Sequence, residues 1–170
     1  MDVTDVIEHR IEVREYADEP VDTSIKRAVL NAGRLAPSGK NHQHWRFILI
    51  DTPDRIQRLA DISTSGQWVE DAAFAVVVLT DPTYPYNGID AGRAITHMQF
   101  QAWTDGVGSC IYTGYDETEM RTFLEAPEAY DVTAVIGFGY PPGEIKGVKR
   151  RRPLSDIAFR ERFGNAAFEE

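Results

Sequence analysis

Cysteine is almost absent from this chain of 170 residues, in which Cys110 is the only one. A single thiol excludes an internal disulfide framework and a zinc site built from several cysteines. No apolar run approaches the roughly 20 residues that span a bilayer. The first ten residues, MDVTDVIEHR, also lack the apolar stretch of a signal peptide. The sequence therefore predicts a soluble, cytoplasmic protein with no membrane partner.

Positive charge is also in short supply. The chain has 18 Lys and Arg against 27 Asp and Glu, for a formal net charge of −9. Such a protein repels nucleic acids, so no nucleic-acid partner is expected. The common nucleotide-binding loops are missing too, because Ile111 stands where a dinucleotide fingerprint beginning at Gly106 needs its third glycine, and there is no P-loop. The four histidines show no metal-ligand motif, and no metal site is expected.

What the sequence does contain is an alternation of helical and extended patterns. Hydrophobic residues make up 42% of the chain, a globular composition, and the length fits one domain. Periodicity and capping signals predict five helices near residues 3–10, 22–35, 53–62, 89–105 and 116–125. Extended runs predict four strands near residues 47–50, 73–80, 109–115 and 132–138. Together they indicate an α+β or α/β layered domain.

The segment after the last predicted strand has little periodicity of its own. It nevertheless carries Ile157, Phe159 and Phe163. A tail of this kind either frays or packs on another surface, and a partner subunit is the natural candidate.

Two arginines stand in or just after the first predicted helix. On a helical wheel, positions 3, 7, 10 and 14 lie within about 60° of one another, so Arg10 and Arg14 would continue the apolar stripe and would need an anionic partner. The alternative is that the helix ends near His9. Both arginines would then face water or pair with Glu8, Glu12 or Glu15.

Two other polar segments are candidates for binding an anion. Residues 36–45, APSGKNHQHW, form a turn rich in backbone donors, which suits a phosphate or a flat polar ring but also suits an ordinary connection. Residues 149–152, KRRR, are either a solvated face or a phosphate clamp. Cys110 fits a core residue better than a nucleophile, and no catalytic side chain is identified.

Taken together, these segments resemble the nitroreductase family of FMN enzymes from about residue 5 to residue 158. HRIEVREY, residues 9–16, is similar to the family's R-R-S-x-R-x-F/Y, and residues 36–45 to its A-P-S-x-x-N-x-Q-P-W. Residues 90–116 resemble its long central helix, glycine-rich turn and following strand. GFGYP, residues 137–141, and KRRRPL, residues 149–154, resemble its G-Y-P and R-x-P-L motifs. Four motifs in the right order make the resemblance specific.

The resemblance implies an α+β fold with a nitroreductase-like mixed sheet flanked by helices. It also implies an intertwined homodimer in which C-terminal arms are exchanged. The chain would then be one domain, residues 1–170, with residues 142–170 forming an arm that packs on the partner subunit.

The resemblance also implies where FMN would bind. Arg10 and Arg14 would approach the phosphate and the flavin's polar edge, and Lys149 and Arg151 would close on the phosphate. The turn around Ser38 would reach the flavin from the other subunit, and the segment after Ile111 would pass under the ring. The expected cofactor-binding residues are Arg10, Ile11, Glu12, Arg14, Pro37, Ser38, Gly39, Asn41, Gln67, Ile111, Tyr112, Thr113, Gly114, Lys149 and Arg151.

The activity implied by the resemblance is transfer of hydride from NADH or NADPH to FMN, and then reduction of a small acceptor such as a nitroaromatic or quinone, in a ping-pong scheme. Two alternatives stay open. One is a flavin-binding redox protein without turnover, and the other is a relative with different flavin chemistry, such as flavin fragmentation, dehalogenation or enone reduction.

Two residues depart from the family's motifs. Glu12 stands in place of a small hydroxyl residue, and a carboxylate would repel a phosphate. Either Glu12 turns toward Arg14 or a neighbouring cation, or FMN affinity is reduced. His44 replaces the proline before Trp45 and adds a titratable group near the expected site.

Overall fold

The computed structural model describes residues 1–145 and 147–168. Within them the helices are α1 (Val3–His9), α2 (Thr23–Arg34), α3 (Pro53–Ile62), α4 (Asn87–Thr104) and α5 (Glu117–Leu124). The strands are β1 (Arg46–Ile50), β2 (Phe74–Thr80), β3 (Gly108–Tyr112) and β4 (Asp131–Gly139). All nine elements were predicted from the sequence, with ends that differ by a few residues. Short 3₁₀ turns occupy Gly39–Asn41, Gln67–Asp71 and Leu154–Asp156.

Local sequence signals explain where these helices begin. The Asp22 carboxylate caps α2 by accepting from the Ser24 N–H at 2.6 Å. Pro53 opens α3 at a position where the missing N–H has no helical partner. The Asp116 carboxylate caps α5 by accepting from the Glu119 N–H at 2.8 Å, as the capping pattern predicted.

The sheet has the order β1-β2-β4-β3, and each of its three strand pairings is antiparallel. The prediction of a mixed sheet is therefore wrong for the strands of the described chain. The crossover β2-α4-β3 does join two parallel strands, but β4 lies between them and pairs antiparallel with both. Alternation of helices and strands fixes the layers and not the order in which the strands pair.

Helices cover both faces of the sheet, and side chains of β2 alternate between two cores. Phe74, Val76 and Val78 face the layer of α2 and α4. Ala75 and Val77 face the layer of α3 and α5. Because β2 is buried along its whole length, it reads as one apolar run instead of an alternating pattern.

The two ends of the chain leave apolar side chains exposed. Val3 and Ile7 of α1 are 69% and 54% exposed, and in the C-terminal segment Phe163 is 91% exposed. The predicted stripe from residue 3 to residue 14 is wrong because the backbone becomes extended at Arg10, with ψ of 128°, and helical periodicity stops there. No helix of the described chain combines the length and apolarity needed to cross a bilayer.

Candidate functional site

The segment after α1 runs along β3, a strand at the edge of the sheet. Glu12 forms a parallel bridge with Ser109, and the Val13 N–H donates to the Ser109 carbonyl at 3.0 Å. The Val13 side chain lies so close to Gly108 that a Cβ there would come within 2.8 Å of it. Glycine at position 108 therefore allows the segment to approach the strand, and this places Arg10 and Glu12 beside Ile111.

The Glu12 carboxylate contacts two donors. Arg10 donates to it through a terminal guanidinium nitrogen at 2.6 Å, and the Ile111 N–H donates to its other oxygen at 3.2 Å. The Arg10 Nε is buried and has no hydrogen-bond partner among the described residues. The helix thus ends at His9 and Arg10 pairs with Glu12, as one of the two sequence interpretations predicted, while Arg14 is exposed.

Cations from the two ends of the chain meet at this point. Arg10 and Glu12 line a cavity of about 370 Å³ together with Lys149 and Arg151. The Lys149 ammonium donates to the Ile7 carbonyl, and its pKa is lowered by desolvation and then by the positive charges of Arg151 and Arg10. Among the described lining residues, three side chains are cationic and one is anionic. The cavity suits an anion.

Backbone packing also shapes this cavity. A Cβ at Gly147 would come within 2.5 Å of the Ile11 side chain, so glycine lets the C-terminal segment lie close to the residues after α1. Of the predicted set, the structure brings together Arg10, Ile11, Glu12, Lys149 and Arg151, with the Ile111 amide joined to them through Glu12.

The residues after Ile111 lie next to a different loop. The Gly114 carbonyl accepts from the Thr64 N–H at 2.9 Å, and the Gln67 side chain donates to the Ser63 carbonyl at 2.9 Å. The Tyr112 side chain points into the core, where burial raises its pKa, whereas Thr113 is exposed. Tyr112 could therefore contact a ligand through its backbone but not through its hydroxyl.

The turn from Pro37 to Asn41 lines a separate part of the surface. Its Ser38 hydroxyl accepts from the Gln43 N–H at 3.0 Å, and its Gly39 N–H donates to the Asp90 carboxylate at 2.9 Å. Pro37 and Asn41 are exposed. No residue of this turn lines the cavity of Arg10 within the part of the chain that the structure describes.

Asp90 lies beside this turn, and no motif in the sequence indicated its role. It is 1% exposed, and its carboxylate lies 3.2 Å from the Nε2 of the buried His44. The Tyr84 ring stacks on His44 with centroids 5.1 Å apart, and the Tyr86 hydroxyl lies 2.5 Å from the Nδ1 of His42. The signal that could have indicated Asp90 is its position, since it is a carboxylate among apolar residues in the first turn of the longest helix.

Comparison with known proteins identifies the family. The model of the nitroreductase family matches residues 7–87 and 68–140. An Archaeoglobus fulgidus protein is 31% identical over 144 residues, which cover 79% of this chain and 83% of that protein. Its name assigns it provisionally to the NADH dehydrogenases or NAD(P)H nitroreductases. The chain belongs to the nitroreductase family.

Solved structures support the same assignment. An FMN-dependent nitroreductase from Clostridium difficile R20291 superposes with a TM-score of 0.87 at 25% identity, covering 95% of this chain and 100% of that one. A nitroreductase family protein from Streptococcus pneumoniae TIGR4 shares the fold, with a TM-score of 0.84 at 19% identity over 94% of this chain and 100% of that one.

Proposed function

We propose that this protein is an FMN-dependent oxidoreductase that takes hydride from NADH or NADPH and reduces a small acceptor. The observation that carries the proposal is the cavity in which Arg10, Lys149 and Arg151 converge. A buried guanidinium nitrogen that has no partner among the described residues, together with an excess of positive charge in the cavity, fits the phosphate of FMN. The names of the relatives support both the flavin and the nicotinamide.

The roles of the residues follow from their chemistry. When bound, FMN supplies the ring that accepts and donates hydride. Arg10, Lys149 and Arg151 would hold the phosphate, and Arg14 would approach the flavin's polar edge. Residues 111–114 would pass under the ring with their backbone N–H groups near it, and Gln67 would contact its pyrimidine part. We assign no side chain as an obligate acid or base.

The acceptor is a nitroaromatic, a quinone or a compound of similar size, and the two substrates use the site in turn. NADH or NADPH would give up its hydride to bound FMN, and the oxidised nicotinamide would leave before the acceptor enters. This ping-pong order needs no dinucleotide fold, which agrees with the lack of a glycine fingerprint in the sequence.

The working form in this proposal is a homodimer of one-domain chains. The turn of Pro37, Ser38, Gly39 and Asn41 completes the flavin site of the partner, and residues 142–170 form the exchanged arm. Lys146, Glu169 and Glu170 of that arm lie outside the described residues. The exposed Leu154, Ile157 and Phe163 support the arm's packing on another chain.

The proposal is tested first by the absorption spectrum of the purified protein. We expect a flavin spectrum with about one FMN per chain, bleaching on addition of NADH or NADPH, and multiple turnovers once a quinone or nitroaromatic is added. A colourless protein that takes up no FMN in a titration would overturn the proposal. Bleaching without turnover on any acceptor would remove the enzymatic part of it.

The phosphate contacts are tested with three matched arginine variants. We expect Arg10→Ala and Arg151→Ala to weaken FMN binding by roughly 1.5–3 kcal/mol each, the range for a charge-assisted contact. Arg150 is exposed and does not line the cavity, so Arg150→Ala should change the FMN dissociation constant much less. Equal losses in all three variants would point to a diffuse cationic field instead of a clamp.

Mixing two defective variants tests the shared site. An Arg10→Ala chain and an Asn41→Ala chain should each bind FMN weakly in their own homodimers. If one site uses both chains, mixed dimers contain one intact site, and reassortment should restore about a quarter of the sites. Failure to restore any binding, with mixed dimers shown by mass spectrometry, would contradict the shared site.

A further inference from the structure

Glu12 contacts two donors, and one of them, Arg10, lines the cavity shared with Lys149 and Arg151. Its carboxylate accepts from Arg10 at 2.6 Å and from the Ile111 N–H at 3.2 Å, and it is the only anionic side chain among the described residues that line the cavity. The Glu12 side chain is 34% exposed and that of Arg10 is 14% exposed. The ion pair is therefore partly shielded from water.

We infer that Glu12 is an intramolecular competitor of the FMN phosphate for Arg10 and so sets the affinity of this chain for the cofactor. The inference rests on the proposed function. A phosphate monoester and a carboxylate are both acceptor-only anions that suit a guanidinium fork. Both anions drawn to Arg10 would also repel each other at close range, so binding of one disfavours the contact of the other.

The net charge of the cavity lining also predicts that Glu12 lowers the affinity for FMN. The three cations and one carboxylate leave a formal excess of two positive charges in the described lining. A phosphate that carries close to two negative charges at pH 7 would neutralise this excess. Neutralising Glu12 would raise the excess to three and would free Arg10, and both changes favour an anionic ligand.

The competing explanation is that Glu12 only holds the segment after α1 against β3. The two explanations predict opposite changes in FMN affinity when Glu12 is replaced. If Glu12 is only a structural bridge, its removal loosens the site and weakens FMN binding. If it is a competitor, the same change destabilises the flavin-free protein, because two hydrogen bonds are weakened, and yet strengthens FMN binding.

The test is Glu12→Gln, which keeps the shape of the side chain and removes its charge. We expect the FMN dissociation constant to fall roughly tenfold, which corresponds to about 1.4 kcal/mol. We also expect a lower thermal midpoint for the flavin-stripped protein. Glu8→Gln is the matched control, because Glu8 raises the pKa of Lys149 through its charge but is not among the described residues that line the cavity. It should change the FMN dissociation constant by less than about twofold.

Riboflavin, which lacks the phosphate, separates competition at Arg10 from competition at the Ile111 amide. Glu12→Gln should leave riboflavin binding within about twofold of the parent protein. Equal strengthening of FMN and riboflavin binding, or unchanged or weaker FMN binding in Glu12→Gln, would overturn the inference. Glu12→Ser should repeat the result if the glutamine variant folds poorly. If neither parent nor variants bind any flavin, the proposed function itself fails.

Discussion

The apolar C-terminal segment makes the sharpest prediction about assembly. Replacing Ile157 and Phe163 together by serine should weaken the proposed dimer. Ile157 is 60% exposed and Phe163 is 91% exposed in the single chain. The Phe163 ring has its centroid 4.6 Å from that of Phe159, so it belongs to an ordered turn while most of its surface lies open.

The size of the effect follows from these exposures. Burying a large apolar side chain fully is worth about 1.5–3 kcal/mol. The two exposed fractions give on the order of 3 kcal/mol per arm, and the dimer has two arms. Area converts poorly to affinity across an interface, so half of that sum, about 3 kcal/mol, is a reasonable expectation. The dimer dissociation constant should then rise by roughly two orders of magnitude.

Analytical ultracentrifugation over a concentration series measures this change. The parent protein should sediment near 38 kDa, twice the 19.1 kDa chain, at low micromolar concentration. The doubly substituted protein should dissociate at concentrations roughly a hundredfold higher than the parent and should lose FMN as it does. Glu161→Ser is the control, since Glu161 is exposed in the same segment and carries no apolar surface. A double variant that dissociates over the same concentration range as the parent and keeps its full flavin content would refute the exchanged arm.

Three further predictions concern stability and reactivity. Asp90→Asn should destabilise the fold by about 2 kcal/mol in thermal unfolding, because the buried carboxylate that accepts from the Gly39 N–H loses its charge. Gly108→Ala should cost about 1–3 kcal/mol in urea unfolding, since the new Cβ would lie 2.8 Å from Val13. Burial raises the pKa of the Cys110 thiol to about 12, so a thiol reagent at pH 8 should label it far faster in urea than in the native protein.

The regular elements of the fold could be predicted because local patterns determine them. The helix from Pro53 to Ile62 has a proline at its start and an apolar face, and it was predicted with the observed bounds. The strand from Phe74 to Thr80 is buried on both faces, and its apolar run is equally clear. The antiparallel sheet could not be predicted in the same way, because the insertion of β4 between β2 and β3 depends on contacts far apart in sequence.

The candidate site could be predicted only where motifs of the family mark its residues. Arg10, Lys149 and Arg151 are far apart in the chain, and only the resemblance linked them before the structure brought them to one cavity. Helical periodicity left two interpretations of Arg10 open, and the one in which the helix ends near His9 is confirmed. The partners of Asp90 were not predictable from spacing, because Gly39 and His44 reach it across the helix layer from another segment.

The two departures from the family's motifs have a common physical consequence. Glu12 pairs with Arg10 at 2.6 Å, and His44 lies 3.2 Å from Asp90, with both of the latter side chains 1% exposed. Each unusual residue therefore finds a local partner, and neither leaves a buried charge without one. Each of these partners also has a second role. Arg10 lines the cavity that it shares with Lys149 and Arg151, and Asp90 accepts from the Gly39 N–H. Substitution of Glu12 should thus separate stability from ligand binding, because Arg10 loses one contact and becomes available to the ligand.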